Sequence, residues 1–317
     1  MSRPKISVAM CSYNGAKYIQ EQLRSILEQT HPPHELVICD DNSEDDTAAL
    51  ISELTESTNF PVKLFVQKNN VGIIENFSTA IAMCSGDYIA LADQDDIWSP
   101  EKLEVLGREI GDYRDQQPLF IYSDLRLINS QGQTLHKRLS ETVRADRHDE
   151  QPWLTLASRN FIPGCSSLFD RRSVQKILPI PREAILHDWW IALFFSLHGT
   201  MRYIEKELIS YRIHDSNSRG LSSYKRTAQL IARFGLSNIA SNNFLMTLGQ
   251  LQAARDRLHT YDLPAPKALT SFCDIDCKPR LARPWVLFRL GVRRVSSLIS
   301  CMLITKGKPC DDSVGYL

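Results

Sequence analysis

Acidic side chains cluster where an apolar run ends, in the segment Asp93–Asp96, which holds three aspartates and one glutamine. The preceding run, Tyr88–Ala92, is short and apolar, which is typical of a buried strand. Ser99 followed by Pro100 suits an N-cap and the first position of a helix. The acids are therefore expected on a strand-to-helix connection, where carboxylate oxygens suit Mg²⁺ or Mn²⁺ and, through the ion, phosphate oxygens. The alternative is an acidic turn that only caps the next helix.

A second acidic pair follows another short apolar run. Leu36–Cys39 is expected to form a strand, and Asp40 and Asp41 come directly after it. Ligands of open α/β sheets bind outside the carboxyl ends of the strands. Two acidic loops that converge on one sheet edge therefore predict a ligand crevice, where one such loop alone would be ordinary.

Four apolar runs alternate with four helical patterns in the first part of the chain. The runs predict strands at Ile6–Cys11, Leu36–Cys39, Val62–Val66 and Tyr88–Ala92. Strands that alternate with helices indicate βαβ units and an α/β fold with a largely parallel sheet and helices on both faces. Asn14 is expected to be the N-cap of the first helix.

The pattern changes after residue 119. We expect strands, a turn, a mobile loop and helices in this order: strands Phe120–Asp124 and Leu125–Asn129, a turn at Gln131-Gly132, a loop at Arg138–Gln151, a strand at Gly164–Phe169, a short helix at Arg171–Leu178, an apolar helix opened by His187, and a closing pair of strands at Met201–Ile204 and Leu208–Ile213. From residue 216 the composition is helical. The sequence thus predicts a domain at 1–215 and a helical C-terminal region at 216–317.

Composition limits the classes of partner and compartment. Lys plus Arg and Asp plus Glu number 37 each, so no overall charge favours nucleic acid. The N-terminus lacks the long apolar segment of a signal peptide, which predicts a cytoplasmic protein. Eight scattered cysteines fit reduced thiols.

A basic apolar segment, Trp285–Ile304, lies near the C-terminus. Arginines interrupt it, and its uncharged part is shorter than the roughly 20 residues of a membrane span. Such a helix either lies in a membrane interface or packs on the protein's own core with its arginines in solvent.

Three segments in order, Ser7–Gly15, Val37–Ser43 and Leu91–Trp98, resemble family 2 glycosyltransferases of the GT-A fold. The likeness runs over residues 1–215. It is strongest to the rhamnosyltransferase-like branch that builds bacterial O-antigen and capsule polysaccharides, which His187–Trp190 and Tyr211–His214 also resemble.

The resemblance implies the nucleotide-diphospho-sugar transferase fold, with its Rossmann-like, mostly parallel sheet. It implies a UDP-sugar or dTDP-rhamnose donor, Mg²⁺ or Mn²⁺, and inversion at the anomeric carbon. The implied acceptor is a glycan, lipid-diphosphate-linked. With a lipid-bound acceptor, the basic C-terminal helix would hold the enzyme at the inner face of the cell membrane.

The same resemblance assigns roles by position. Residues that would line the nucleotide pocket are Ser12, Tyr13 and Asn14, with Asp41 as acceptor for the base N–H. The segment Asp93-Gln94-Asp95 resembles the family's DxD motif, in which Asp95 would bind the metal, Asp93 would lie near the ribose or the metal, and Gln94 would contact the donor. Asp188 matches the catalytic base; its alternative role is an N-cap. His187 stands where many relatives have an acidic residue, and the pattern assigns it no role.

Three further assignments have alternatives. Asn70 either contacts the donor or only shapes a strand-to-helix turn. His214, at a strand end, either approaches the metal or diphosphate or is a surface histidine. The tryptophans either stack on sugar or acceptor lipid or pack in the core, which is the commoner role of buried aromatic residues: Trp98, Trp189 and Trp190.

The chemistry agrees with these roles. An acceptor hydroxyl is a poor nucleophile, and a carboxylate that takes its proton contributes about 10²–10⁴-fold. Two other functions remain open from the residues. One is phosphoryl transfer with an aspartyl acceptor at Asp40-Asp41, which leaves Asp93, Asp95 and Asp188 unexplained. The other is a non-catalytic nucleotide-binding module.

Overall fold

The computed structural model describes residues 3–111, 117–143, 150–157, 159–214 and 236–274. The chain divides into two compact units, Met1–Ser222 and Ser223–Leu317. The predicted boundary at 215/216 falls outside the described residues and stays a prediction.

The first part of unit one alternates strands and helices as predicted. Its elements are β1 (Ile6–Ser12), α1 (Ile19–Leu27), β2 (Glu35–Asp40), α2 (Thr47–Thr55), β3 (Val62–Val66), α3 (Ile73–Met83), β4 (Tyr88–Ala92), β5 (Ile97–Trp98) and α4 (Lys102–Ile110). Strand β1 pairs in parallel with both β2 and β4, and β2 pairs in parallel with β3. The carboxyl ends of these four strands, and with them both acidic loops, therefore lie at one edge of the sheet.

The second part extends the sheet. It comprises β6 (Leu119–Ile128), β7 (Thr134–Arg138), α5 (Leu139–Thr142), α6 (Pro152–Leu156), β8 (Ser167–Asp170), α7 (Val174–Ile177), α8 (His187–His198) and β9 (Thr200–Arg212). The nine strands of the described chain form one sheet in the order β3-β2-β1-β4-β8-β6-β9-β5, with β7 on β6. The sheet is parallel from β3 to β4 and between β6 and β9, while β8, β7 and β5 pair antiparallel.

Some predicted boundaries were wrong. Each pair of short strands predicted in this part is one long strand, β6 and β9, because register shifts near Asp124 absorb the polar residues without ending the pairing. The strand predicted from Gly164 begins at Ser167, after a 3₁₀ turn at Gly164–Ser166. The predicted loop at 138–151 contains α5, whereas residues 144–149 lie outside the described ranges.

Both predicted N-caps were also wrong. Helix α1 begins after Tyr18, and the Asn14 Oδ1 instead accepts the N–H of Glu44 from the next loop. Helix α4 begins after Glu101, so Ser99 lies before the cap and accepts the Lys102 N–H with its backbone carbonyl. For Asn14, a contact with the loop after β2 takes the place of the expected cap.

Helices cover both faces of the sheet, as predicted. Ile6, Val8 and Met10 of β1 share one buried cluster with side chains of α1, α2 and α4. Alternate strand residues point to the opposite face, where α3 packs on β1 and β2 and the Asn76 side chain donates to the Cys39 carbonyl. The five described cysteines are buried free thiols: Cys11, Cys39, Cys84, Cys165 and Cys273.

Unit two contains α9 (Leu236–Thr260) and α10 (Lys267–Cys273) among its described residues. The helix expected at Phe244–Leu258 lies within α9, and the apolar stripe of α9, which includes Leu251 and Leu258, is buried. The basic segment Trp285–Ile304 lies outside the described residues. In the part of the chain that the structure describes, no helix combines the length and apolarity needed to cross a membrane.

Candidate active site

Hydrogen bonds tie the loop after β1 to the loop after β2. The Ser12 hydroxyl donates to the Asp40 carboxylate at 2.7 Å, and Asp40 also accepts the N–H and hydroxyl of Ser43. The Ser43 hydroxyl in turn accepts the Asn14 N–H at 2.9 Å. Two of the residues predicted to line the nucleotide pocket thus brace these loops: Ser12 with its hydroxyl, and Asn14 with its backbone N–H and with its Oδ1, which accepts the Glu44 N–H.

Gln94 holds the first loop from the other side. Its Oε1 accepts the Tyr13 N–H at 2.7 Å, and its Nε2 donates to the Tyr13 carbonyl at 3.0 Å. A Cβ on Gly15 would overlap the Gln94 amide, so glycine is required for this approach. The Gln94 side chain therefore holds the backbone of the first loop. Tyr13 itself is 44% exposed.

Asp41 is buried and holds the start of α3. Its Oδ1 accepts the Val71 N–H at 2.7 Å, and its Oδ2 accepts the Gly72 N–H at 2.9 Å. The adjoining Asn70 is exposed. Asp40 and Asp41 are both buried and bind N–H or hydroxyl groups of the surrounding loops, which disfavours the aspartyl-phosphate alternative.

The acidic segment after β4 meets the end of β9. His214 Nε2 lies 2.8 Å from Asp95 Oδ2, which brings together two residues that are predicted as metal ligands and are distant in sequence. The Tyr18 ring of the first loop lies beside His214, with ring centroids 4.9 Å apart. Both His214 and Asp95 have partly covered side chains, 9% and 14% exposed.

A buried arginine, Arg212, supports this segment, and the sequence reasoning missed it. Its Nε donates to the Asp95 carbonyl at 2.8 Å, its backbone N–H donates to Asp96 Oδ1 at 3.1 Å, and its guanidinium pairs with Glu21. Asp96 is fully buried, and its Oδ2 has no hydrogen-bond partner among the described residues. Burial raises the pKa of Asp96 to about 7, and the charge of Asp95 also raises it.

A buried lysine, Lys102, lies behind the acidic segment and was likewise missed. Its Nζ donates to the Cys165 carbonyl at 2.6 Å and lies 3.2 Å from the centre of the Trp98 ring. Burial lowers the pKa of Lys102 to about 7, while Cys165, Asp96 and Asp93 act to raise it. A fully buried lysine without such partners would be costly, and a polar residue at a helix start gave no sequence signal of this burial.

Asp188 lies beside the same segment. It is the second residue of α8, whose N-cap is Leu186, so the N-cap alternative for Asp188 was wrong. Its Oδ2 accepts the Gly164 N–H at 3.1 Å, and its Oδ1 accepts the Trp189 N–H at 2.6 Å. A Cβ on Gly164 would lie 3.1 Å from the Asp188 Cβ and 3.4 Å from the Leu91 side chain at the end of β4.

The turn at Gly164–Ser166 brings Asp188 close to the acidic segment: Asp188 accepts the Gly164 N–H, and the Sγ of the next residue, Cys165, lies within 4.8 Å of carboxylate oxygens of Asp93 and Asp96. Burial raises the pKa of Asp93 well above its usual value, and the charges of Asp96, Asp95 and Asp188 raise it further. Burial also raises the pKa of Asp188 to about 6, against hydrogen bonds that lower it.

Residues 7–178 match the family model Glycosyl transferase family 2. The chain belongs to this family.

Two relatives give the scope of the likeness. An uncharacterized glycosyltransferase of Nostoc sp. is 28% identical over 251 residues, which is 77% of each chain. A UDP-Glc:alpha-D-GlcNAc-diphosphoundecaprenol beta-1,3-glucosyltransferase of Escherichia coli, WfgD, is 34% identical over 125 residues, 39% of this chain and 47% of WfgD. The aligned part of the present chain therefore covers less than half of WfgD.

A solved structure confirms the fold. The mannosyltransferase PcManGT of Pyrobaculum calidifontis, in complex with GDP-Man and Mn²⁺, has a TM-score of 0.54 with 16% sequence identity, over 92% of this chain and 74% of that one. The chain is thus a family 2 glycosyltransferase with the α/β GT-A fold that its motifs predict.

The aromatic residues of the glycosyltransferase are mostly core. Trp98 and Trp190 are buried, and Trp189 donates its indole N–H to the Leu156 carbonyl at 2.7 Å. His187 is buried and stacks on Phe77 of α3 with centroids 3.8 Å apart, and neither ring nitrogen has a hydrogen-bond partner in the described ranges. Burial lowers the pKa of His187 to about 3, so the imidazole beside Asp188 is neutral.

Proposed function

We propose that this enzyme is an inverting, metal-dependent glycosyltransferase with Asp188 as the catalytic base. The observation that supports this most is the nearness of the Asp188 carboxylate, through the turn that holds Gly164 and Cys165, to the acidic segment that carries the Asp95–His214 pair. Donor and acceptor chemistry can then share one crevice. We place the enzyme in synthesis of a bacterial surface polysaccharide, with the rhamnosyltransferase-like branch as the closest pattern.

The donor atoms near Asp95 fit a divalent metal. The Asp95 carboxylate and the His214 imidazole, 2.8 Å apart, offer oxygen and nitrogen ligands that suit Mn²⁺ or Mg²⁺, and PcManGT is a complex with GDP-Man and Mn²⁺. The structure groups Asp93 instead with Asp96 and Cys165, whose ligand atoms lie within 4.8 Å of one another, and Asp93 remains a further ligand in this proposal. When bound, the ion would stabilise negative charge on the leaving diphosphate as a Lewis acid. His214 and the main-chain bond from Arg212 hold Asp95 at its place in the crevice.

The donor nucleotide would lie against the first loop. Tyr13 offers an exposed ring, Asn70 an exposed amide, and Asp41 a second lone pair on each oxygen for a base N–H. The braces from Ser12, Asn14 and Gln94 would act by fixing this loop. We propose a UDP-sugar or dTDP-rhamnose donor, and the UDP-Glc in the name of WfgD favours UDP.

Asp188 would take the proton of the acceptor hydroxyl. Its carboxylate is oriented by the N–H groups of Gly164 and Trp189, and with a pKa of about 6 it is mostly ionised at neutral pH. Attack opposite the diphosphate inverts the anomeric carbon. The acceptor is a glycan, and the diphosphoundecaprenol in the name of WfgD favours a lipid-diphosphate carrier at the inner face of the cell membrane.

The first experiment is a panel of UDP-, dTDP- and GDP-sugars with Mn²⁺, scored for release of the free nucleotide diphosphate. A lipid-diphosphate-linked sugar serves as acceptor, and chelation with EDTA followed by Mn²⁺ addition tests the metal. We expect one donor class to react, with loss in EDTA and recovery with Mn²⁺. Proton NMR of the product then tests inversion, and a product that keeps the donor's anomeric configuration would refute it.

Two variants test the assigned roles. Asp95→Ala is expected to abolish metal-dependent donor binding in calorimetry, whereas Asp188→Asn is expected to bind donor normally and lose transfer. The exposed Asn70 offers a milder comparison, because Asn70→Ala should change only donor affinity. Unchanged turnover in Asp188→Asn would refute the role of Asp188 as the base, whereas wild-type protein that binds donor with metal but transfers no sugar would favour a non-catalytic binding module.

A further inference from the structure

The ammonium group of Lys102 is enclosed although it lies on the first turn of α4. The residue has no exposed surface, and its Nζ contacts the Cys165 carbonyl and the face of the Trp98 ring. An apolar side chain of similar length would fill this space without the cost of desolvating an amine. The contact with Cys165 is therefore the property of this lysine that an apolar residue would lack.

The Cys165 carbonyl belongs to a short turn that touches Asp188. In the 3₁₀ turn Gly164–Ser166, the Gly164 N–H donates to Asp188 Oδ2 at 3.1 Å, one residue away from the carbonyl that Lys102 binds. The Ser166 N–H and hydroxyl both bond to the Pro163 carbonyl, and the Ser167 hydroxyl bonds to the Gly164 carbonyl, so the turn is a compact unit.

The turn has little freedom on its other side. A Cβ on Gly164 would lie 3.3 Å from His187 Nε2 and 3.1 Å from the Asp188 Cβ. Lys102 on one side and the start of α8 on the other thus confine the same three residues. A displacement at the Cys165 carbonyl would shift the Gly164 N–H relative to the Asp188 carboxylate.

We propose that Lys102 is a positioning residue for Asp188: its Nζ fixes the Cys165 carbonyl, and thereby holds the Gly164 N–H on the Asp188 carboxylate. This inference rests on the proposed role of Asp188 as the base. Lys102 does not touch the reacting atoms in this account. It acts through the turn, and it does so in either protonation state, because both an amine and an ammonium donate hydrogen bonds.

The direct test is amide hydrogen exchange of the full chain, read by mass spectrometry on peptides that cover the turn Gly164–Ser166. In Lys102→Met we expect faster exchange in this turn than in the wild-type protein. The matched control is Leu103→Ala, which removes core packing from the next residue of α4 and should speed exchange in α4 but not in the turn. Equal exchange of the turn in wild type and Lys102→Met would overturn the proposal.

The kinetic test separates positioning from a general loss of fold. We expect kcat of Lys102→Met to fall about tenfold, as for one lost transition-state contact, with an unchanged Kd for UDP and Mn²⁺ in calorimetry. Leu103→Ala, compared at temperatures where both variants are folded, should keep kcat. A fall in kcat that Leu103→Ala shares would assign Lys102 a structural role only.

The outcomes also separate this inference from the proposed function. If the wild-type protein transfers no sugar but the turn exchanges faster in Lys102→Met, the proposed function fails and the link from Lys102 to the turn stands. If transfer occurs and the turn is unaffected, only the link fails. Should Lys102→Met not fold, Lys102→Gln, whose shorter side chain falls short of the Cys165 carbonyl, is measured in the same way with the same criteria.

Discussion

Replacing Asp188 by asparagine should make the protein more stable and inactive at once. Burial raises the pKa of Asp188 from 3.8 to about 6, so the folded state disfavours the ionised carboxylate that catalysis requires. At 1.36 kcal/mol per pH unit, this difference of about 2 units corresponds to about 3 kcal/mol. Because Asp188 is partly open to solvent, screening reduces the expected increase in the free energy of unfolding of Asp188→Asn to about 1–3 kcal/mol.

The sign of the pH dependence follows from the two pKa values. Below pH 3.8 the carboxyl is protonated in both folded and unfolded chains, so it has no effect on stability. Between 3.8 and about 6 the unfolded chain ionises first, and the wild-type protein loses stability; above about 6 the loss is complete. The additional stability of Asp188→Asn relative to wild type should therefore be absent below pH 3.8 and should reach its full value above about pH 6.

The assay is urea unfolding of both proteins at pH 4 and pH 8, with transfer measured across the same range. We expect the free energy of unfolding of Asp188→Asn to exceed that of wild type at pH 8 and to match it near pH 4, with transfer reduced about 10²–10⁴-fold. Wild-type activity should rise with pH through about 6. A variant that is less stable at pH 8, or wild-type activity that is flat between pH 5 and 7, would refute the reasoning.

Three further predictions address other contacts. Burial raises the pKa of Glu35, but hydrogen bonds, led by that of Lys63, outweigh burial and lower the pKa from 4.5 to about 2. In urea unfolding at pH 7, Glu35→Gln should therefore have a free energy of unfolding about 2–3 kcal/mol below that of wild type. This difference should shrink as the pH falls from 4.5 towards 2. Gly15→Ala and Gln94→Ala break the same contact between Gln94 and the first loop, so each should raise the donor KM, with a double variant no worse than the poorer single one in steady-state kinetics. Mn²⁺ should raise the melting temperature of wild type but not of Asp95→Ala in thermal scans; an equal rise in both would remove Asp95 from the metal site.

Local patterns were reliable where one residue type serves one structural purpose. The apolar runs predicted the four parallel strands correctly: β1, β2 and β4 are buried along their whole length, as strands covered on both faces are, and the more exposed β3 at the end of the sheet still forms from β-branched and aromatic residues. The order of strands and helices placed Asp41 and Asp95 at the carboxyl edge of the sheet. Caps failed at Asn14 and Ser99, because contacts with other parts of the fold decided how their polar atoms are satisfied.

Several site residues gave no usable signal in the chain. Gln94 was expected to bind donor, and the fold uses its amide to clamp the Tyr13 backbone. Lys102 and Arg212 are charged, and charged residues are usually exposed. Their burial depends on partners that the fold brings from elsewhere: the Cys165 carbonyl for Lys102, and the Asp95 carbonyl and Glu21 for the Arg212 guanidinium.

The sequence by itself determined the family, the α/β alternation and the edge of the sheet where the acids gather, because these depend on local periodicity and on motifs of a few residues. Only the tertiary structure decided which groups meet: His214 with Asp95, and Asp188 with the Gly164 N–H. Those pairs are separated by 119 and 24 residues along the chain. Contacts at such separations follow from strand order and register. These are properties of the whole sheet, so the local sequence around one residue does not indicate which distant residue it will contact.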